Sequence, residues 1–462
     1  MKRIVPIVLA VALFMENMDS TVIATSLPAI ARDIGTSPIA LKLALTSYYV
    51  SLAIFIPISG RIADRWGAKF VFRLAIAVFI AGSLACSIAS SLEGFVAARF
   101  LQGMGGAMMT PVGRLLLVRS APKAELVNAM AWFSIPALIG PLVGPPVGGF
   151  ITTYADWRWI FLINLPIGIV GILLATRFLP SVAKVEGIRF DIPGFLLSGF
   201  ACAGLVFGFS VVSLPALPPI IGVIMAISGF AASLVFIRHA RRTEEPVLRL
   251  SMLSIPTLRA ALIGGIFFRV GSGAVPFLLP LMLQLGFGYT PFQSGLITCV
   301  SIGGAIAMKF LAKPLLHRFG FRATMVGAAI FGGILTMAIG FARPDTPVPL
   351  VLAMLLVGGF FRSMFFTSIN ALAFADVPNK RAGDATAMLA AVQQVSVAMG
   401  VALAGAVLEV AMTLGGRADV GVADFSVAFF VVGAVMTTAT FVFLRLQADA
   451  GDEVAGRRVP AE

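Results

Sequence analysis

Long apolar runs follow one another from one end of this chain to the other, separated only by short polar segments. A helix needs about 20 apolar residues to cross about 30 Å of hydrocarbon, and each run is long enough. Hydrophobic residues make up 59% of the 462 and charged residues only 12%, whereas about 25% of residues in an ordinary soluble domain are charged. The sequence therefore predicts an all-α polytopic membrane protein with no soluble domain left over.

Hydropathy places about fourteen spans along the chain. They lie near 4–27, 41–63, 70–90, 94–118, 127–152, 158–179, 190–212, 217–237, 258–284, 293–312, 323–342, 348–372, 384–411 and 424–445. An even number of spans puts both termini on one side, and most of the 34 Lys and Arg fall in loops and tails on that side. Because basic loops stay cytoplasmic during insertion, we expect both termini in the cytoplasm of a bacterium, with the chain in its inner membrane.

A weak internal repeat divides the chain. The segment RWGAK at 65–69 recurs as RFGFR at 318–322, and the same offset of about 253 residues carries the start of the first span onto the ninth. The predicted parts are a six-helix bundle at 1–183, an inserted helix pair at 184–257, a second six-helix bundle at 258–446 and a tail at 447–462. Parallel repeats of this kind are typical of secondary transporters, whose substrate sites lie between the halves near the midplane.

The loop between the second and third spans reads GRIADRWGAKF at 60–70, which resembles the loop signature of the major facilitator superfamily. The residues assigned to conformational change here are Gly60, Asp64, Arg65, Gly67 and Lys69. We expect Gly60 to permit close helix approach and Gly67 an unusual backbone turn. Asp64 can face the positive N-terminus of a neighbouring helix, while the basic residues hold the loop at the cytoplasmic surface. Ala68 departs from the family, which usually has Arg there.

Arg99 lies inside the apolar fourth span, in AARFLQGMGGA at 97–107, which resembles the RxxQG motif of the same superfamily. An arginine at that depth costs a few kcal/mol unless it is paired or hydrated. It is therefore either one partner of a structural ion pair or part of the transport machinery.

The fifth span contains GPLVGPPVGG at 140–149, which fits GxxxGPxxGG, the signature associated with antiporters of this superfamily. The residues assigned to it are Gly140, Gly144, Pro145, Gly148 and Gly149. Glycines at four-residue intervals form a smooth stripe for close helix packing, and prolines remove backbone donors and bend the helix. Ordinary packing of membrane helices is the alternative interpretation of the glycines.

The first span contains MENMDSTVIATSLPAI at 15–30, similar to a motif of fourteen-helix drug antiporters. Further resemblances lie at 157–169, 190–197 and 275–296. Together they resemble the fourteen-helix drug:proton antiporter branch of the major facilitator superfamily. The resemblance implies a major facilitator fold that exports small amphipathic or drug-like compounds by alternating access, in exchange for protons.

Two acidic residues of the 21, Glu16 and Asp19, lie well inside a span. At about 1.5 Å per residue, helix arithmetic brings Asp19 to roughly the depth of Arg99, so the two could meet. An aspartate that alternates between an arginine partner and an apolar environment can bind and release a proton. These three residues are the candidates for proton coupling; a permanently ionised Asp19 that only stabilises Arg99 is the alternative.

The repeat superposes Glu16 on Arg269, so an acid and a base occupy related midplane positions in the two halves and could pair across the cavity. Arg362, also near the midplane, competes for that role. The other candidates for the substrate cavity are polar or aromatic: Asn17, Tyr48, Gln102, Phe268, Phe361, Phe365, Asn370 and Gln394. Most such residues in a membrane protein face lipid or pack helices.

Several functions have no support in the sequence. The net charge of +13 fits membrane topology better than nucleic-acid binding. His239 and His317 lack neighbouring Cys or carboxylate clusters, so we expect no metal site, and the glycine-rich pieces lack a following Lys-Ser/Thr, so we expect no nucleotide site and no cofactor. The predicted partners of this non-enzymatic monomer are protons, a small-molecule substrate and the bilayer. A transporter of one metabolite, such as a sugar or organic acid, and a non-transporting membrane sensor are the alternatives.

Overall fold

A computed structural model describes residues 4–120, 126–181, 190–212, 214, 217–378, 381–447 and 449–455. The described residues are mainly helical and contain no β-strand. The helices are α1 (Ile4–Val22), α2 (Leu27–Ile34), α3 (Lys42–Trp66), α4 (Ala68–Ile88), α5 (Leu92–Ser120), α6 (Leu126–Tyr154), α7 (Trp159–Leu162), α8 (Asn164–Phe178), α9 (Ile192–Val212), α10 (Pro219–Ala240), α11 (Pro256–Leu281), α12 (Pro291–Ile339), α13 (Val348–Phe374), α14 (Ala382–Leu414), α15 (Val422–Phe443) and α16 (Asp452–Ala455).

Eleven helical segments of the described chain are long and apolar enough to cross a membrane. Helices α5 and α6, each of 29 residues, are long enough as well. Helix α12 makes two crossings, because Gly320 adopts a non-helical conformation (φ 73°, ψ 173°) that bends it. The described helices thus supply the fourteen crossings of the predicted all-α polytopic fold.

The crossings form two six-helix bundles and an inserted pair. In the first bundle α1 packs on α6 and α8, and α5 packs on α3 and α4; in the second, α12 packs on α13 and α15, and α11 on α14 and α15. Helices α9 and α10 pack on each other, and α9 also contacts α3 and α14. The predicted boundary at 183/184 lies outside the described residues, as does the tail from residue 456 onward.

The two bundles meet at one end of the molecule, which we call the distal face because it lies opposite the end where α1 begins and α15 ends. There Gly149 of α6 lies against the backbone of Pro291 in α12, and Gly295 lies against Pro145. Every hydrogen bond and ion pair described between the two bundles lies at this face. In this structure the distal face is therefore closed.

Candidate functional site

Asp19 of α1 is fully buried and accepts hydrogen bonds at both carboxylate oxygens. Nη1 of Arg99 lies 2.8 Å from its Oδ2. Nε2 of Gln102 and Nδ2 of Asn164 lie 2.8 Å and 2.7 Å from its Oδ1. Three donors, one of them cationic, match an ionised carboxylate, which can only accept.

A further layer of contacts fixes these donors. The hydroxyl oxygen of Ser83 accepts from Nε2 of Gln102 at 2.8 Å and from Nδ2 of Asn164 at 3.2 Å. The guanidinium carbon of Arg99 lies 4.3 Å from the ring centroid of Tyr48, and Nη1 of Arg99 also donates to Oε1 of Gln102. The network joins five helices of the first bundle, and removing one partner of such a buried pair typically costs about 3–5 kcal/mol.

The structure brings Asp19 and Arg99 together, as the helix arithmetic predicted. The amide of Gln102 is fully buried in the same network and links the carboxylate to Ser83. Its assignment to the substrate cavity stays a prediction. Ser83 and Asn164 are not among the candidate residues predicted from the sequence. A lone amide in the apolar segment WRWIFLINLPIGI was the available signal for Asn164.

Glu16 lies one turn from Asp19 on α1 and is half-buried. Its Oε2 accepts a hydrogen bond from the hydroxyl of Thr110 at 2.8 Å. The hypothetical pair of Glu16 with Arg269 is not formed in this structure. Arg269 is fully buried in the second bundle, and no guanidinium nitrogen of it has a hydrogen-bond partner in the part of the chain that is described.

Two aromatic cavity candidates form part of the core of the second bundle. Phe268 and Phe365 are fully buried and stack with ring centroids 3.6 Å apart. Phe361 stacks on Phe331 at 5.1 Å. The remaining candidates are the half-buried Asn17, Arg362 and Gln394, and the exposed Asn370.

The loop motif lies at the end of the molecule opposite the distal face. Oδ1 of Asp64 forms an ion pair with Nη2 of Arg119 at 2.6 Å. Arg119 belongs to the last turn of α5, so the described partner of Asp64 is a basic side chain. That Asp64 also faces a helix N-terminus stays a prediction. No described atom beyond the backbone of its own helix lies within 4 Å of where a Cβ on Gly60 would be, so the described residues show no close helix approach there.

The remaining residues of the loop motif make a backbone turn and local contacts. Gly67 has a φ of 96°, in the region that favours glycine, and separates α3 from α4. Nζ of Lys69 donates to the carbonyl oxygen of Leu179 at 2.6 Å and so satisfies the C-terminal end of α8. The guanidinium carbon of Arg65 lies 5.2 Å from the ring centroid of Phe190. These contacts hold the loop against the first bundle and the start of the inserted pair.

The predicted glycine stripe packs against α1, the helix that carries Asp19. A Cβ on Gly140 would lie 2.9 Å from the backbone nitrogen of Met18, and those on Gly144 and Gly148 would collide with the next turns of α1. Since Gly149 in the same helix touches α12, helix α6 contacts both the aspartate helix and the second bundle.

A buried ion pair that was not predicted from the sequence joins the two bundles. Nζ of Lys42, at the start of α3, lies 2.8 Å from Oε2 of Glu409 in α14. The Lys42 side chain is fully buried. A lysine at the end of a span away from the basic loops was the signal available in the sequence.

The sequence was compared with protein families and with curated proteins. A family model described as Major Facilitator Superfamily matches residues 9–189 and 261–460. Proteins named MdtD in Salmonella paratyphi B and Salmonella typhi, both described as candidate multidrug resistance proteins, are each 36% identical over 405 residues, which is 87% of this chain and 85% of the relative.

Solved structures share the fold. A D-xylose–proton symporter has a TM-score of 0.71 at 14% identity, covering 97% of this chain and 98% of its own. An autoinhibited peptide transporter of the POT family has a TM-score of 0.68 at 14% identity, covering 100% of this chain and 98% of its own. At such low identity the likeness shows the fold alone.

Proposed function

The chain belongs to the Major Facilitator Superfamily of membrane transporters, and we propose that it exports small amphipathic or drug-like compounds in exchange for protons. The observation that carries this proposal is the buried carboxylate of Asp19, held by Arg99 and two amides. An ionisable residue inside a membrane bundle is costly and is best explained by use in transport. The MdtD relatives, described as candidate multidrug resistance proteins, support export.

The proton cycle follows from the access state. If both termini lie in the cytoplasm, as we propose, the closed distal face is the outer one, and this state does not open to the outside. The three donors around Asp19 suit the ionised carboxylate, which is the form that an antiporter has after it releases its proton inward. Opening of the distal face then exposes the site to the outside, where a proton binds Asp19 and weakens its hold on Arg99.

Helix α6 connects this protonation to the movement of the bundles. Its glycines lie against α1 beside Asp19, and Gly149 and Pro145 lie against α12. A shift of α1 on protonation therefore bears directly on the contact between the bundles. In this proposal the protein acts as a monomer in a bacterial inner membrane, with bundles at 1–183 and 258–446 and the inserted pair at 184–257.

The test is transport by the purified protein in proteoliposomes with an imposed pH gradient. A cationic dye, a neutral amphiphile and an aromatic carboxylate serve as probes, and we expect gradient-driven movement of at least one. Asp19→Asn keeps size but removes the titrating group, so it should abolish that movement while the protein stays folded. Asp33→Asn, at an exposed acid, is the matched control. Normal export by Asp19→Asn would transfer the role to Glu16, and transport without a gradient effect would refute proton coupling.

A further inference from the structure

Arg269 is a buried guanidinium that has no counterion among the described residues. It lies near the middle of α11, is fully buried, and has no hydrogen-bond partner at Nε, Nη1 or Nη2 in the described part of the chain. Its position depends on Gly265 one turn earlier, where a Cβ would lie 2.5 Å from Nη1. A guanidinium has five donors, so leaving all of them unused in an apolar interior is costly.

A second unpaired arginine lies on the neighbouring helix. Arg362 is near the middle of α13, is half-buried, and forms no ion pair or hydrogen bond with the residues that the structure describes. The stacked rings of Phe268 and Phe365 bring the two arginine-bearing segments side by side. Phe268 precedes Arg269, and Phe365 lies one turn beyond Arg362.

The two other fully buried cations among the described residues have counterions. Asp19 balances Arg99, and Glu409 balances Lys42. The middle of the second bundle therefore carries positive charge that the described chain does not neutralise. Such a field concentrates anions and repels cations.

We infer that Arg269 and Arg362 bind the carboxylate of an amphipathic organic anion and that this class is the transported substrate. The inference rests on the proposed function, since it identifies the substrate class of that transporter. A guanidinium matches a carboxylate through paired N–H···O bonds, which are stronger than neutral hydrogen bonds. The half-buried Arg362 is the accessible member of the pair, and Arg269 is the enclosed one.

Three probes with one ring system test the site: 2-naphthoate, 2-naphthamide and 2-naphthylmethylammonium. Binding is measured by calorimetry on the full chain in nanodiscs, without a pH gradient. We expect naphthoate to bind at least about tenfold more tightly than the other two, because a charged hydrogen bond contributes about 1.5–3 kcal/mol. Arg269→Gln and Arg362→Gln should each remove about tenfold of that affinity. Arg238→Gln, at an exposed arginine of α10, should leave it unchanged.

Thermal unfolding without ligand separates binding from a structural role. Replacing an uncompensated buried charge should leave the Tm of Arg269→Gln unchanged or raise it. If Arg269→Gln fails to fold, the binding of naphthoate to Arg362→Gln tests the inference by itself. Equal binding of the three probes, no binding of any, or an anion preference that survives substitution of Arg362 overturns the inference.

The two proposals fail separately. If the gradient drives export of the cationic dye and neither arginine substitution changes that export, the anion site is overturned. Proton-coupled export is then still supported. Arginine-dependent binding of naphthoate without any gradient-driven transport would uphold the site and refute proton coupling.

Discussion

Nζ of Lys42 lies 2.8 Å from Oε2 of Glu409, so a buried ion pair joins the first bundle to the second at the distal face. The pair is made only where α3 and α14 approach each other. If the distal face opens during transport, these two atoms must separate. The free energy of this ion pair therefore stabilises the state in which the distal face is closed.

Glu409→Gln should shift the molecule toward a distal-open state, because it removes the negative charge that holds Lys42. Coupling energies of this kind are about 1–3 kcal/mol, or about 5–150-fold in population. Distances between spin labels at Tyr154→Cys and Leu414→Cys, near the distal ends of α6 and α14, measure the shift. Replacing both partners, as Lys42→Met with Glu409→Leu, should restore much of the closed population.

The control for this experiment is Arg158→Gln. Arg158 pairs with Asp33 at 2.7 Å, but both residues lie in the first bundle and are partly exposed. That variant should leave the label distances unchanged. A distance distribution that is the same in Glu409→Gln and the unmodified protein would show that the pair does not control opening.

Asp64→Asn should slow transport by about fivefold without unfolding the protein. Its ion pair with Arg119 is partly exposed, and such pairs contribute up to about 1 kcal/mol. Arg119→Gln removes the same pair and should have a similar effect on turnover in proteoliposomes. Unchanged turnover in both variants would mean that the loop pair does not bias the access states.

Gly148→Ala should destabilise the contact between α1 and α6. Its Cβ would collide with the carbonyl oxygen of Val22, a backbone atom that cannot rotate away. Overpacking of this kind typically costs about 1–3 kcal/mol, to be measured as a lower Tm in detergent. Gly171→Ala is the control, because its Cβ would meet Ile76 at an ordinary 3.7 Å. Equal Tm values in the two variants would contradict the proposed close packing.

Asp191 predicts a pH dependence at the start of α9. Burial raises its pKa, but hydrogen bonds from His239 and from the backbone amides of Gly194 and Val247 outweigh burial and place the pKa below its ordinary value. Its stabilisation is therefore present above the unfolded carboxyl pKa of about 3.9 and is lost as the pH falls through the lower folded value.

Asp191→Ala should consequently lower stability by about 1–3 kcal/mol at pH 7. The difference in Tm from the unmodified protein should shrink below about pH 4, where the carboxylate becomes protonated. Asp345→Ala, at an exposed acid whose carboxylate has no described hydrogen bond or ion pair, should show neither effect. A Tm difference that stays constant from pH 7 to pH 3 would refute the assigned role of the ionised carboxylate.

The sequence by itself determined the positions of the helices and the depth of residues along them. Hydropathy is a local property, and the span predicted at 384–411 became α14 at Ala382–Leu414. Depth follows from the constant rise of a helix, so the contact of Asp19 with Arg99 could be predicted from the sequence. The need for glycine at position 67 was likewise local, because a positive φ belongs to one residue.

Only the tertiary structure decided which groups share a site. Asn164 reaches Asp19 from 145 residues away, and Lys42 reaches Glu409 from 367 residues away. Arg269, which the repeat offset placed opposite Glu16, is enclosed in its own bundle without a partner in the described chain. The depth of a residue along a helix does not determine how the helix is rotated or which helices lie next to it. Both depend on how all the bundle helices pack and on which face of the transporter is closed.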